Sequence, residues 1–389
     1  MKVLPTFQMK DRYQYLAVAL MLLGLITLGL TFYLDPIRAW TNFLINNFYF
    51  MSLGLSGVLI LALLYICKGA WASVLKRIPE AMMACLPVAF VLMLLLGFGI
   101  HSLYHWSHAD AVAHDALLQH KEPYLNVTFF MIRMVFYFVV WIAFARLFRR
   151  VSLRQDAGLD LPFYYRNTRY SSLFIVFFAL TFSFASYDWL MSLEPHWFST
   201  IFSIYTFSSL FVHGIAAMTL VVILLMERGY LKGFVNENHL HDLGKLLLAF
   251  TTFWAYIWFS QYMLIWYANI PEETSYFILR TDPDWIWLFW LNLAINWGIP
   301  FVILLPRVSK RSPAILKRVC ITLLIGYWLD LYLRVAPGVG TERQIGLIEI
   351  FIALGYAALF FWITGRALAK APLIARNDPY LQESLHLHQ

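Results

Sequence analysis

The chain has 389 residues, 61% hydrophobic and 13% charged, with a formal net charge of +7. A soluble domain of this length carries about a quarter charged residues. Composition therefore excludes a soluble globular enzyme and points to a polytopic membrane protein. The basic excess is scattered between apolar runs, which excludes a nucleic-acid-binding patch.

Ten apolar runs of about 20 residues follow one another, each long enough at about 1.5 Å per residue to cross about 30 Å of hydrocarbon. They lie at 14–34, 48–67, 83–104, 127–147, 170–190, 198–226, 243–267, 284–305, 314–334 and 346–366. The first is longer than a signal-peptide core and has no small-residue cleavage site after it, so it reads as a retained anchor. No alternating pattern suggests a barrel, so the backbone is expected to satisfy itself inside helices. The expected fold is an all-α integral membrane protein with ten transmembrane helices. Residues 1–13 form a short leading segment, 14–366 the membrane domain and 367–389 a polar, loosely held tail. The longest connection, "RRVSLRQDAGLDLPFYYRNTRYSS" (149–172), reads as a hinge between four helices and six.

Charge gives the orientation. Of the 29 Lys and Arg, only Arg38, Lys121, Arg280, Arg334 and Arg343 fall on the side opposite the two ends, and Arg133 lies inside a span. This loop-by-loop bias predicts that both termini are cytoplasmic. Cys67, Cys85 and Cys320 lie in or beside spans, with no C-x-x-C or C-x-x-C-H. The polypeptide shows no site for a covalent haem or a cluster. The loop histidines have no compact metal-ligand spacing, and no metal is expected.

Charges inside a bilayer cost several kcal/mol unless paired or hydrated, so each calls for an explanation. Arg133 falls roughly 9 Å below the outer boundary. Asp188 closes the fifth run near that boundary, Asp330 lies one turn from Arg334 on the ninth, and Glu349 begins the tenth. Glu194 and His196 sit in the outer turn after Asp188, where Pro195 fits a helix start. Glu272 and Glu273 follow the seventh run. Together these groups form a candidate outer network for protons or for a quinol headgroup. His213 is a mid-membrane relay candidate, and Asp242 and Lys245 mark inner access. Each also admits a plain packing role: Arg334 as an interfacial anchor neutralised by Asp330, Arg133 as a helix tie, His213 as a hydrogen-bonded core residue.

Two stretches, "YDWLMSLEPHWFSTIF" (187–202) and "HDLGKLLLAFTTFWAYIWFSQYMLIWYANIPEET" (241–274), resemble signature segments of the F subunit of bacterial alternative complex III. "HSLYHWSH" and "LLQHKEPYLNVTFFMIR" (101–108 and 117–133) are similar to the outer loop and fourth helix of the same subunit. That complex is a quinol:cytochrome c oxidoreductase, and its F subunit is related to the membrane anchors of polysulfide- and nitrite-reductase-type complexes. The resemblance implies two four-helix bundles plus two extra helices in a bacterial inner membrane. It implies as partners a sister membrane subunit, an iron–sulfur subunit and haem c subunits. Haem c and iron–sulfur clusters would belong to those partners; this chain would bind none itself, with quinone or quinol contact left open. Its role would be structural support and a proton path, and it would have no redox centre of its own. The alternative from another class is a stand-alone secondary transporter or channel, which calls for helices broken at the midplane.

Overall fold

The computed structural model describes residues 5–156, 158, 161–340 and 345–388. Ten helices are long and apolar enough to cross a membrane: α1 (Asp11–Leu34), α2 (Pro36–Ile66), α3 (Arg77–Leu103), α4 (Val127–Gln155), α5 (Leu161–Trp189), α6 (Phe202–Glu227), α7 (Glu237–Ala268), α8 (Ile286–Leu304), α9 (Pro313–Val339) and α10 (Leu347–Leu368). Among the described residues there is no strand. Of the cations used to orient the chain, Lys2 and Arg343 lie outside the described residues.

The helices pack as two four-helix bundles. The first is α2 to α5 and the second α6 to α9, and they meet where α2 crosses α6 and α9. The remaining helices, α1 and α10, lie against each other along the outside. Their crossing is set by two glycines: a Cβ on Gly24 would stand 2.9 Å from the Gly355 Cα. Close backbone approach of this kind supplies the packing that hydrophobicity cannot supply in lipid. The α2–α6 crossing uses the same device, with Gly214 against Ser56.

The two crossing helices form the centre, while α1 buries only 17% of its most apolar window against 89% for α6. Large apolar side chains such as Leu25, Ile132, Val176 and Val302 are exposed. Facing lipid, they need no protein partner.

Three expectations change. The second span begins at Pro36, about three turns before its apolar run. Thr41, Asn42, Asn46 and Asn47 interrupt the hydropathy, yet all are buried against neighbouring helices. Most of the hinge expected at 149–172 is helical, because α4 continues to Gln155 and α5 starts at Leu161; residues 157, 159 and 160 lie outside the described residues. Arg149, Ser152 and Gln155 recur at three-residue spacing and turn inward: Arg149 and Ser152 bond Glu80, and Gln155 bonds Asn377. Polar composition signalled a loop, but Arg149, Ser152 and Gln155 are helical and paired.

The tail is docked. Lys76 Nζ donates to Asp378 at 2.5 Å, Ser73 donates to the same carboxylate, and Ser384 donates to the Trp71 carbonyl. Burial pulls the Lys76 ammonium below its ordinary value, with Asp378 acting the other way. The Leu373 amide donates to the Pro5 carbonyl at 2.9 Å, placing both chain ends on one face. That surface is the terminal face.

Candidate functional site: two buried aspartate–arginine centres

The second bundle holds the more extended polar site. Asp330 on α9 is wholly buried. One carboxylate oxygen accepts from Tyr205 Oη on α6 and, at 3.2 Å, from Asn292 Nδ2 on α8. The other accepts from Ser209 Oγ at 2.9 Å and from the Arg334 guanidinium one helical turn on. Arg334 donates further to Thr206 Oγ1 and Ser209 Oγ, and its guanidinium lies 4.5 Å from the Tyr205 ring centre. Trp254 on α7 donates its indole N–H to Ser209. Three helices of the bundle therefore meet at one carboxylate, and the fourth, α7, reaches it through Ser209. A buried charge persists only when paired and fully hydrogen-bonded, and here both conditions hold.

From Asp330 the network runs deeper. Asn296 Nδ2 donates to Asn292 Oδ1 at 2.7 Å and to the Gly326 carbonyl at 3.0 Å, which turns its Oδ1 toward His213 Nε2 at 2.9 Å. His213 Nδ1 lies 2.5 Å from the Ser209 carbonyl, and the ring stacks on Tyr327. Both imidazole nitrogens face oxygens, whereas a neutral ring donates from only one. This arrangement occupies both ring nitrogens and leaves neither for a further ligand.

Local sequence explains how the asparagines reach inward. Pro300 has no N–H for the Asn296 carbonyl, and the ladder shifts into a π turn at Ala294–Gly298. Asn292 and Asn296, four apart, then lie on one inward face, and Gly326 leaves room for the second. A Cβ at Gly326 would stand 2.4 Å from Asn296 Oδ1.

Pro337 on α9 does the same for a third group. Without its N–H, the Leu333 carbonyl lacks a helical partner, and Arg280 Nε donates to it at 2.9 Å. Arg280, from a short helix at Pro271–Thr281, also donates to the Arg334 carbonyl and to Glu194 at 2.6 Å. Beside these groups a cavity of about 20 Å³ is lined by Gln261, Asn292, Arg280 and Arg334. It has room for about one water, and the buried Gln261 Nε2 has no partner among the described residues.

The first bundle has a simpler centre. Arg133 on α4 grips Asp188 on α5 with two bonds, at 2.8 and 2.9 Å, and Tyr137 Oη donates to the same carboxylate at 2.9 Å. The remaining guanidinium edge donates to the Tyr124 carbonyl, and the Tyr124 and Phe129 rings cover it. No hydrogen bond among the described residues links this clamp to the Asp330 network.

The other candidates separate. Glu349 is held by Arg38 through two 2.8 Å bonds, by Asn42 and by the Gly346 amide, tying α10 to α2. His196 meets Asp115 at 2.5 Å on the surface. Glu272 is exposed and Glu273 half-exposed, and neither forms an ion pair among the described residues. Their segment contributes instead a carbonyl: Glu273 O accepts the Trp197 indole N–H. Pro195 does not open a helix, since α6 starts at Phe202, and its carbonyl accepts from Lys121 at 2.6 Å. At the terminal face Asp242 pairs with Lys245 at 2.6 Å. Of the acids expected to form one outer cluster, Asp188, Glu194, Asp330 and Glu349 each pair with an arginine of their own, while Glu272 and Glu273 stand apart.

Sequence reading missed Arg280, Asn292, Asn296, Ser209, Tyr137 and Arg38 as partners. Asn292 and Asn296 at helical spacing before a proline were the available signal. It missed a second cluster too: buried Glu80, gripped by Arg77, Arg149 and Ser152, with Arg77 also bonded to Asp156. Among the described residues no group of three or more His, Cys, Asp or Glu side chains could hold a metal ion.

A cleft of about 470 Å³ opens between α2, α6, α9 and α10. Its polar lining groups are bonded within the protein: Trp328 to Asn46, Tyr49 to the Leu324 carbonyl, Tyr356 to Asn47 and Glu349 to Arg38 and Asn42. The cleft's walls are otherwise apolar, with Leu53, Leu220, Leu324 and Phe360. Comparison of the chain with protein-family models and with curated proteins finds no match to either.

Proposed function

We propose that the chain is an integral membrane subunit of a respiratory quinol:cytochrome c or quinol:acceptor oxidoreductase. It gives structural support and carries a protonatable route through its second bundle. In this reading quinol is oxidised at the sister membrane subunit, and the haem c and iron–sulfur centres belong to partner subunits. The membrane is the bacterial inner membrane, with both chain ends in the cytoplasm.

The observation that carries the reading is the bonded chain Arg334–Asp330–Asn292–Asn296–His213, which joins two titratable groups inside an apolar bundle. Intramembrane ionisable groups of this kind mark ion and proton pathways. Support comes also from the segments that resemble the F subunit: their Asp188, Glu194 and Trp197 are bonded at helix or hairpin contacts, and Gln261 lines the small cavity.

The test is Asp330→Asn in the assembled complex. Turnover or proton release is expected to fall about tenfold, less than the roughly 10²–10⁴-fold of an acid–base group at the reacting centre, because Asp330 lies away from the redox chemistry. Parental values for both would sink the proton-route reading.

The π turn in α8 favours a second reading, a secondary transporter, since transporters bind at interrupted helices. Purification in mild detergent separates the two. A respiratory subunit brings haem and iron–sulfur absorbance with it, whereas a transporter purifies alone.

A further inference from the structure

At the terminal face a groove of about 480 Å³ runs between α3, α4 and α10. Its deeper walls are apolar, with Leu86, Pro87, Ile142 and Ala145, and its rim carries Arg146, Arg149, Arg150 and Lys370. Ile142, Ala145, Arg149 and Leu153 recur at helical spacing on α4. One face of that helix therefore passes from hydrocarbon to cation within about two turns. Arg149 is committed to Glu80 at 2.6 Å, the one carboxylate that lines the groove. Arg146, Arg150 and Lys370 are exposed, and none forms an ion pair among the described residues.

We propose that this groove binds an anionic phospholipid, its phosphate between Arg146, Arg150 and Lys370 and the start of an acyl chain against Ile142 and Ala145. Charge complementarity selects this occupant. The groove presents three uncommitted cations above an apolar floor, at the level where a leaflet places its headgroups. A protein helix would fill the floor and leave the cations unmatched. A zwitterionic lipid would bring its own ammonium against them. The inference is independent of the proton-route reading.

The experiment uses the full chain in mild detergent with whatever subunits it retains. Native mass spectrometry counts bound phosphatidylglycerol and phosphatidylcholine, and thermal unfolding is followed as each lipid is added. The parent should retain phosphatidylglycerol selectively and gain thermal stability from it. Each of Arg146→Gln, Arg150→Gln and Lys370→Gln should weaken retention about fivefold, and the triple variant about a hundredfold. Arg318→Gln, an exposed cation on the same face outside the groove, should change nothing. Three results would overturn the proposal: a triple variant that keeps phosphatidylglycerol like the parent, a parent that holds phosphatidylcholine equally well, or inorganic phosphate that stabilises as much as the lipid. Should the triple variant fail to fold, the single substitutions decide, and uniform parental retention among them overturns it as well.

Discussion

Asp188 and Asp330 are both wholly buried, both paired with an arginine and both bonded to a tyrosine hydroxyl. In the first bundle the arginine comes from the neighbouring helix and takes both carboxylate oxygens, so the bond lashes α4 to α5 and stops there. In the second bundle the arginine lies on the same helix, one turn away, and supplies a single bond. The carboxylate is left to share its lone pairs with Tyr205, Ser209 and Asn292 from two other helices. At Asp188 the bidentate arginine and the one hydroxyl both come from α4, which makes the carboxylate a fastener between two helices. A carboxylate shared among hydroxyls and amides stays connected to whatever those groups touch, here His213.

The largest effect should be common to both centres. Arg133→Met or Arg334→Met leaves a buried carboxylate without its counter-charge, at a cost of about 3–5 kcal/mol. Thermal unfolding in detergent should show both variants strongly destabilised. A mild loss in only one would mean that its charge is supported by something besides arginine. The amide substitutions should then split the pair. Asp188→Asn keeps the shape of a fastener and should leave turnover of the assembled complex within about twofold, whereas Asp330→Asn removes a titratable link and should lower it about tenfold. The reverse order would break the comparison.

Gly326→Ala probes the branch from Asp330 to His213 with little change in hydrophobicity. Its methyl group would meet Asn296 Oδ1 at 2.4 Å, forcing the amide away from His213 and from the Gly326 carbonyl. The expected loss is about 1–3 kcal/mol, the cost of leaving buried polar groups unsatisfied. Turnover should fall together with stability. Stability that falls while turnover is retained would sharpen the division, confining the functional part to Asp330 itself.

Ten spans were readable because apolar length is a property of consecutive residues, and the Asp330–Arg334 pair because i,i+4 spacing on a helix is local. The Arg133–Asp188 and Arg38–Glu349 pairs join residues far apart in the chain, and their partners depend on which helices become neighbours. No window carries that information. The early start of α2 was hidden for a related reason: Asn42, Asn46 and Asn47 read as a loop until α9 and α10 supply Trp328, Glu349 and Tyr356 as partners. Arg280 illustrates the same limit. Pro337 announces a freed carbonyl, but only the fold shows that a guanidinium from the preceding hairpin answers it.

The smallest effect belongs to an ion pair outside both centres, and it calibrates what burial adds. His196 and Asp115 meet at 2.5 Å in the solvent-facing turn that follows Asp188. The Leu118 amide, first, and then His196 hold the Asp115 carboxyl below its ordinary value. A depressed carboxyl stabilises the folded form while it is ionised there. Its contribution is therefore complete above the ordinary carboxylate value and is lost as pH falls through the lowered one. At neutral pH His196→Gln should leave thermal stability unchanged, because exposed pairs are screened and held loosely. Hydrogen exchange of the Leu117 and Leu118 amides, which donate to Asp115, should speed up in the variant only under acid conditions. An acid loss as large as that of Arg133→Met would mean that the surface turn, rather than the buried Asp188 clamp, holds the first bundle closed.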